Sequence, residues 1–290
     1  ATIKGSLKKF KKGNLEDSIR YLEENKSIEE IIISLPHSKS DFINELLEYA
    51  DNNLIRVSLI PEFSEYLSQL FSIDYVENIP MMKFRREPLQ SLYNRMLKRG
   101  LDVVVSFFVI VFIFSWLFPL IALLIKLSSK GPVFFAQERS GKNDNAFKCL
   151  KFRSMTVNNQ SDTMQATQND ARITKIGGFL RKTSLDELPQ FFNVLFNDMS
   201  LVGPRPHMLK HTEEYRVLVD KYMVRHFAKP GITGWAQIMG YRGETKTVKD
   251  MENRAQADIW YIENWNFMLD IKIMFKTAFI LLFKKEENAY

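Results

Sequence analysis

Two adjacent carboxylates, Asp186 and Glu187, stand in a run that is otherwise cationic or rigid: RKTSLDELPQ over residues 181–190, then Asn193, then LVGPRP over 201–206. Residues of these types can carry phosphoryl transfer. One carboxylate can attack phosphorus while the other holds a divalent metal that neutralises the phosphate oxygens. The arginines would supply bidentate phosphate contacts. The pattern leaves a structural role equally open, because Ser184-x-x-Glu187 is a formal capping box. Pro189 argues against Ser184 as the cap, since it would then sit where a helical N–H is needed. A helix starting near Asp186 keeps Pro189 in the first turn and sets both carboxylates at a helix N-terminus, which attracts phosphate.

Other residues are weaker signals. GPRP at 203–206 is a rigid turn that fixes the direction of Arg205, although Gly and Pro also punctuate ordinary loops. KPGITGWAQ at 229–237, followed by Tyr241-Arg242-Gly243, is a second such turn. Its glycines would allow close backbone approach to a ligand and equally suit a tight turn. His207 and His211 lie four apart, but no third ligand follows, so surface histidines are expected rather than a zinc site.

The elements that must position this chemistry fall into three regions. The 290 residues are 46% hydrophobic and 26% charged, which excludes both a disordered chain and a bundle of membrane spans. The net charge of +6 favours anionic partners. No nucleic-acid-binding motif accompanies it, so nucleic acid is set aside. The single cysteine, Cys149, cannot form an internal disulfide and fits a reducing compartment. No signal peptide opens the chain, and its first residue is Ala, which suggests a piece of something longer.

Residues 1–80 alternate helices (Leu15–Lys26, Ser40–Tyr49, Glu62–Phe71) with strands (Glu30–Leu35, Leu54–Ile60), the pattern of βαβ units in a partial doubly wound α/β domain. No G-x-G-x-x-G turn is present, so a regulatory or packing module is the favoured reading. Residues 81–100 form a basic amphipathic linker. Val103–Ile125 is uncharged, and a helix of that length would be about 35 Å long, enough to cross a bilayer core. Its flanks are both basic: Lys98 and Arg99 before, then Lys126, Lys130, Arg139 and Lys142 after. Positive charge marks the cytoplasmic side, so a re-entrant helix over 101–127, broken at Pro119 and returning to the same face, is preferred to a straight span. Residues 128–290 read as a mostly helical α+β catalytic domain. Its last helix, Phe267–Phe283, is apolar nearly all round and suits either the membrane interface, with lysines at the head groups, or ordinary packing.

The succession KRGLD (98–102), GPVFFAQERSG (131–141), FKCLKFRSM (147–155), LRKTSLDELPQFFNVLFNDMSLVGPRP (180–206), KPGITGWAQ (229–237) and DIWYIENWNFMLDIKI (258–273) resembles the bacterial polyprenyl-phosphate hexose-1-phosphate transferases. The resemblance covers about residues 90–290, with six motifs in order. The first region resembles part of the CoA-binding-like domain of the longer members, whose opening membrane spans this chain lacks. The resemblance implies transfer of a sugar-1-phosphate from a UDP-sugar to undecaprenyl phosphate, releasing UMP, as the first membrane step of surface polysaccharide assembly. Asp186 would be the nucleophile, forming a phosphosugar-enzyme intermediate, and Glu187 would help hold Mg²⁺. Arg181 and Arg205 would bind phosphate, joined by Lys151 and Arg153, with Asp258 and Gln190 as further candidates. The family's membrane element is a re-entrant helix broken near a proline, for which Pro119 stands; here Phe118 precedes it, where a serine is usual.

The catalytic domain would then lie on the cytoplasmic face of the inner membrane, in contact with lipids, and a homodimer would be unsurprising. The stretch 240–265 most resembles the glucose-transferring members, so UDP-glucose is the expected donor. The competing readings are a membrane-anchored glycosyltransferase, which would release UDP, and a non-catalytic membrane interaction protein whose carboxylates only cap a helix.

Overall fold

The computed structural model describes residues 17–33, 40–59, 72–76, 79–83, 85–157, 170–241, 243, 245 and 247–283, in two compact units, 1–84 and 85–290. The first contains α1 (Ser18–Glu24), β1 (Glu30–Ile33), α2 (Ser40–Asn52), β2 (Arg56–Leu59), β3 (Ser72–Val76) and β4 (Ile79–Lys83). Buried Ile43, Leu46 and Ala50 recur at helical spacing on α2 and pack with Leu22, Ile33 and Ile55. β1 and β2 pair in parallel across α2, from Glu30↔Arg56 to Ile33↔Leu59, the expected βαβ unit.

The rest of that sheet departs from expectation. Its order is β1-β2-β4-β3, with β4 antiparallel to both neighbours, so the described sheet is mixed rather than the parallel sheet of a doubly wound domain. β4, at 79–83, also runs into the start of the stretch 81–100 read as a linker. Pro80 fits in it because there β4 pairs only β3, at Tyr75; β2 joins further along, at Met82 and Lys83. The third expected helix, Glu62–Phe71, lies outside the described residues.

The second unit opens with α3 (Leu92–Val109), a π-turn (Ile110–Phe114) and α4 (Ser115–Ser128), followed by a hairpin of β5 (Phe134–Ser140) and β6 (Ala146–Phe152). Next come α5 (Lys175–Lys182), α6 (Gln190–Leu195), β7 (Ser200–Val202), α7 (Leu209–Leu218), β8 (Gly231–Thr233), α8 (Trp235–Ile238), α9 (Val248–Asn264) and α10 (Phe267–Phe283). β7 and β8 pair in parallel, and around them Val194, Leu201, Tyr261, Ile262, Trp265 and Ile273 form the main core. A complete capping box, Thr247 with Asp250, starts α9.

Leu92–Ser128 is helical throughout and is long and apolar enough to cross a membrane. No break occurs at Pro119; the irregularity is the π-turn just before it, where the ladder gives way to longer i→i+5 bonding. That turn has a packing consequence. Buried Lys98, Asp102 and Ser106 lie four apart, and a regular helix would rotate the next members of this stripe away. The extra residue per turn delays the rotation, and Phe114, Ile121 and Ile125 continue the buried stripe. Both ends of the segment therefore pack on the same unit, while Phe107, Phe108, Phe112, Trp116, Leu123 and Leu127 stay exposed.

The charges before it are not free flanks. Lys98 is buried, donating to Asp270 at 2.6 Å, the Val202 carbonyl at 2.9 Å and the Tyr261 hydroxyl at 3.0 Å. Arg99 caps α6 through the carbonyls of Val194 and Leu195. Asp102 accepts from the Ser200 hydroxyl and the Leu201 N–H. The KRGLD motif thus fastens the apolar helix to the unit. Arg139 is likewise committed, to the Pro206 carbonyl and Gln137. Sequence proximity to an apolar run concealed these partners.

Candidate active site

The carboxylate pair is delivered by the end of α5. Thr174 caps that helix, its hydroxyl accepting from the Gly177 N–H at 2.9 Å. A side chain at Gly177 would place a Cβ 1.8 Å from the Ser154 carbonyl oxygen, so only glycine lets α5 reach the loop after β6. Beyond α5, Ser184 takes the left-handed conformation (φ 57°) and reverses the chain into a tight turn, Leu185–Glu187. The Ser184 side chain makes no capping bond, so the capping box allowed by the sequence does not form. Pro189 sits just ahead of α6, where no donor is required.

The two carboxylates have opposite environments. Glu187 accepts from Lys151 Nζ at 2.7 Å and from both terminal nitrogens of Arg205, at 2.6 and 3.2 Å. Burial works against its charge, yet Arg205 and Lys151 hold its carboxyl well below the usual range. Asp186 is buried, and its carboxylate has no hydrogen-bond or ion-pair partner among the described residues. Burial pushes it up to about 6; Lys151, Arg181 and Arg205 pull the other way, and neighbouring Glu187 adds repulsion. One carboxylate is neutralised and fixed; the other is ionised near neutrality and free to react.

The cations are each held from behind. Asn193 imitates a strand, accepting from the Leu150 N–H and donating to the Lys148 carbonyl, which fixes β6 beside Lys151. Arg181 donates to the Ser154 hydroxyl at 2.7 Å. Arg205 belongs to a turn whose backbone is gripped by the second Gly-rich turn. A Cβ at Gly203 would lie 2.3 Å from the Lys229 carbonyl oxygen, and one at Gly231 would lie 2.1 Å from the Gly203 nitrogen. The glycines that sequence left open between ligand approach and turn thus serve the approach of two backbones to each other.

A further layer lies behind that turn. Arg225 donates to the Arg205 carbonyl at 2.8 Å and pairs with Asp258 at 2.7 and 3.1 Å, all three residues being buried or nearly so. Asp258 therefore touches the pair only through Arg225 and the Arg205 backbone. Gln190 is buried one turn along from Asp186. Arg153 does not join the cluster, because its guanidinium is spent on the carbonyls of Ser129 and Lys130 at the end of α4. His207 is not a surface residue as expected: it is buried, its Nδ1 within 2.7 Å of both the Tyr222 hydroxyl and Arg225. Burial first, then Arg225, lowers its pKa well below normal and keeps it neutral.

Sequence reasoning missed Arg225 and Arg254. Burial, then Arg225 and Arg205, push Arg254 down to about 10. Arg254 is thus a buried cation beside two others that already have carboxylate partners, a position that an anion would relieve. Neither arginine lies near the Asp-Glu motif in sequence, and only the fold brings them to it.

Among the described residues no three His, Cys, Asp or Glu side chains converge on a point, so there is no ready-made metal cage. Both Glu187 oxygens are engaged by cations. The residues fit only the kind of magnesium site in which one carboxylate shares the ion with substrate phosphates and water.

Comparison with known proteins identifies the family. A family model described as bacterial sugar transferase matches residues 93–284. A UDP-glucose:undecaprenyl-phosphate glucose-1-phosphate transferase of Escherichia coli K12 is 44% identical over 268 residues, 92% of this chain and 57% of the relative. Proteins of the same name from Xanthomonas campestris pv. campestris (42% over 277 residues; 94% and 57%) and Caulobacter vibrioides (44% over 204 residues; 70% and 75%) are also similar. The chain thus spans little more than half the length of the first two relatives, 57% of each.

Proposed function

Since the chain belongs to the bacterial sugar transferase family, we propose that it transfers glucose-1-phosphate from UDP-glucose to undecaprenyl phosphate, releasing UMP. The observation that carries this reading is the asymmetric pair: an unpartnered Asp186 next to a Glu187 locked by Arg205 and Lys151, amid surplus cations. In the first step an Asp186 carboxylate oxygen attacks the β-phosphorus, the bond from that phosphorus to the bridging oxygen breaks, and UMP leaves. In the second, an oxygen of the lipid phosphate attacks the same phosphorus and Asp186 is released as carboxylate. Arg205, Lys151 and Arg181 meet the charge that gathers on the phosphate oxygens. Magnesium would enter with the diphosphate at Glu187 and supply further charge neutralisation there.

The membrane element belongs to the same proposal. Both ends of Leu92–Ser128 pack on the catalytic unit and its outer face is apolar, which supports an unbroken helix that holds this unit against the membrane, on the cytoplasmic side of the inner membrane. The whole step would open exopolysaccharide assembly.

The test is UMP release by protein in nanodiscs supplied with UDP-glucose, Mg²⁺ and undecaprenyl phosphate. UMP dependent on the lipid phosphate and on Asp186 supports the proposal. UDP in its place identifies a glycosyltransferase, and no nucleotide from any UDP-sugar leaves only a binding protein. Activity with another UDP-sugar corrects the sugar alone.

A further inference from the structure

A cavity of about 370 Å³ opens beside the carboxylate pair. Its polar lining is confined to Ser184, Glu187, Thr233, Gln237 and Thr277. Thr233 and Thr277 satisfy each other at 2.6 Å, and Thr277 also donates to the Ile273 carbonyl. The remaining lining is apolar, including Val105 of α3, Phe191 of α6, Ile232 of β8, and Met274 and Leu281 of α10. A volume of this size suits a small-ligand segment. A nucleotide sugar, polar along its whole length, would leave such walls unsatisfied.

The cavity joins two unlike regions. Glu187, one of its lining residues, is the group that Arg205 and Lys151 hold, so those cations lie one side chain behind the cavity wall. α10, which supplies Met274, Ala278 and Leu281 to the lining, turns Phe275, Phe279 and Phe283 outward as exposed apolar surface. Exposed aromatic residues on a helix with Lys272 and Lys276 suit a lipid interface. The occupant that matches both regions is an amphiphile with a phosphate head and a long hydrocarbon tail.

We propose that this cavity receives the head-proximal isoprenyl units of a polyprenyl phosphate, with the phosphate at Arg205 and Lys151 and the tail leaving along α10 into the bilayer. The inference rests on the proposed reaction and adds where the acceptor lies. It also separates the substrates: the donor needs the cations alone, whereas the acceptor needs cations and cavity.

Full-length protein in nanodiscs tests this in two ways. Ala278→Phe, and separately Ile232→Trp, would fill the cavity without touching the carboxylate pair. Each should raise KM for undecaprenyl phosphate about tenfold, the equivalent of one to two methylenes losing their burial. Acceptor-free release of UMP should stay at the wild-type level, which also shows that the variant is folded. Independently of turnover, a polyprenyl phosphate carrying a diazirine in its first isoprenyl units should label the wild-type protein at Ile232, Met274, Ala278 or Leu281, assigned residue by residue. Undecaprenyl phosphate should compete that label away, and phosphatidylglycerol should not. An unchanged KM in both filled variants, or labelling confined to outward residues such as Phe275 and Phe279, would overturn the inference. So would labelling that phosphatidylglycerol competes, since the occupant would then be bulk lipid. Wild-type protein that releases no UMP would sink the reaction instead, and the labelling would still decide the cavity.

Discussion

The second unit contains two buried ionic clusters that share residue types and differ in purpose. At the foot of α3, Lys98 meets Asp270, whose other oxygen accepts from Tyr261 and which also takes the Trp265 N–H; every charge there has its counterpart. At the carboxylate pair, Lys151 and Arg205 both serve Glu187, Asp186 has no partner among the described residues, and Arg181 and Arg254 add positive charge nearby. Burial of charge is common to both, so burial does not mark a site. What marks it is imbalance: a carboxylate left without a donor, and Arg181 and Arg254 bonded only to a hydroxyl and a carbonyl. The first cluster is balanced within itself; the second is not, and on the proposed reaction a bound phosphate would complete it.

The sharpest way to break the comparison is to remove one carboxylate from each cluster. Asp186→Asn should lower turnover by about 10⁴-fold or more, as expected for loss of a nucleophile. Its thermal unfolding should stay at or above the wild-type midpoint. The sign follows from linkage. A carboxyl raised from 3.8 to about 6 lends stability below pH 3.8 and loses it as pH rises through 6, so the neutral amide spares the fold a cost near pH 7. Unfolding well below the wild-type midpoint would mean that Asp186 is structural.

Asp270→Asn should do the reverse, destabilising the protein by about 3–5 kcal/mol because Lys98 is left buried and unpaired. Thermal or denaturant unfolding reads this directly. Joint replacement, Lys98→Met with Asp270→Leu, should recover much of the loss, whereas no double change at Glu187 and Arg205 should restore activity.

A smaller effect is expected one layer out. Asp258→Asn loosens Arg225 and, through it, the backbone of Arg205, so kcat should fall roughly 10–100-fold. KM for the nucleotide sugar should change less, because Arg205 keeps its own bond to Glu187. Steady-state kinetics separate the two, and an unchanged kcat would detach Asp258 from the site.

The mildest test uses pH alone. If the ionised Asp186 reacts, the acceptor-free release of UMP should fall tenfold per unit below an apparent pKa of about 6. Glu187, held well below its usual range, adds no limb near it. A profile flat down to pH 4.5 would remove Asp186 from the role.

The site was legible in sequence to the extent that its chemistry is contiguous. Asp186, Glu187, Arg205 and the rigid turns share one stretch, so residue type and spacing were enough to raise phosphoryl transfer. Its supports were not legible. Arg225 and Arg254 come from distant segments, and nothing local separates a buried arginine from a surface one. The same blindness turned Lys98, Arg99 and Arg139 into membrane flanks, although each is tied to carbonyls or to a carboxylate inside the unit. α2, with its apolar stripe, and α10, apolar nearly all round, were read closely. β4 was not, because Pro80 and the basic stretch that begins at Met81 do not look like a strand until the one-sided pairing is seen. The π-turn was invisible for a related reason: it answers to the stripe buried beneath it, while Pro119 drew attention further along.

The most direct test of the central claim is to trap the intermediate. Protein held with UDP-glucose and no acceptor should carry a hexose phosphate on the peptide containing Asp186, detected by mass spectrometry. The mark should vanish on adding undecaprenyl phosphate and be absent from Asp186→Asn. UMP release without any adduct, or an adduct on another residue, would contradict the account.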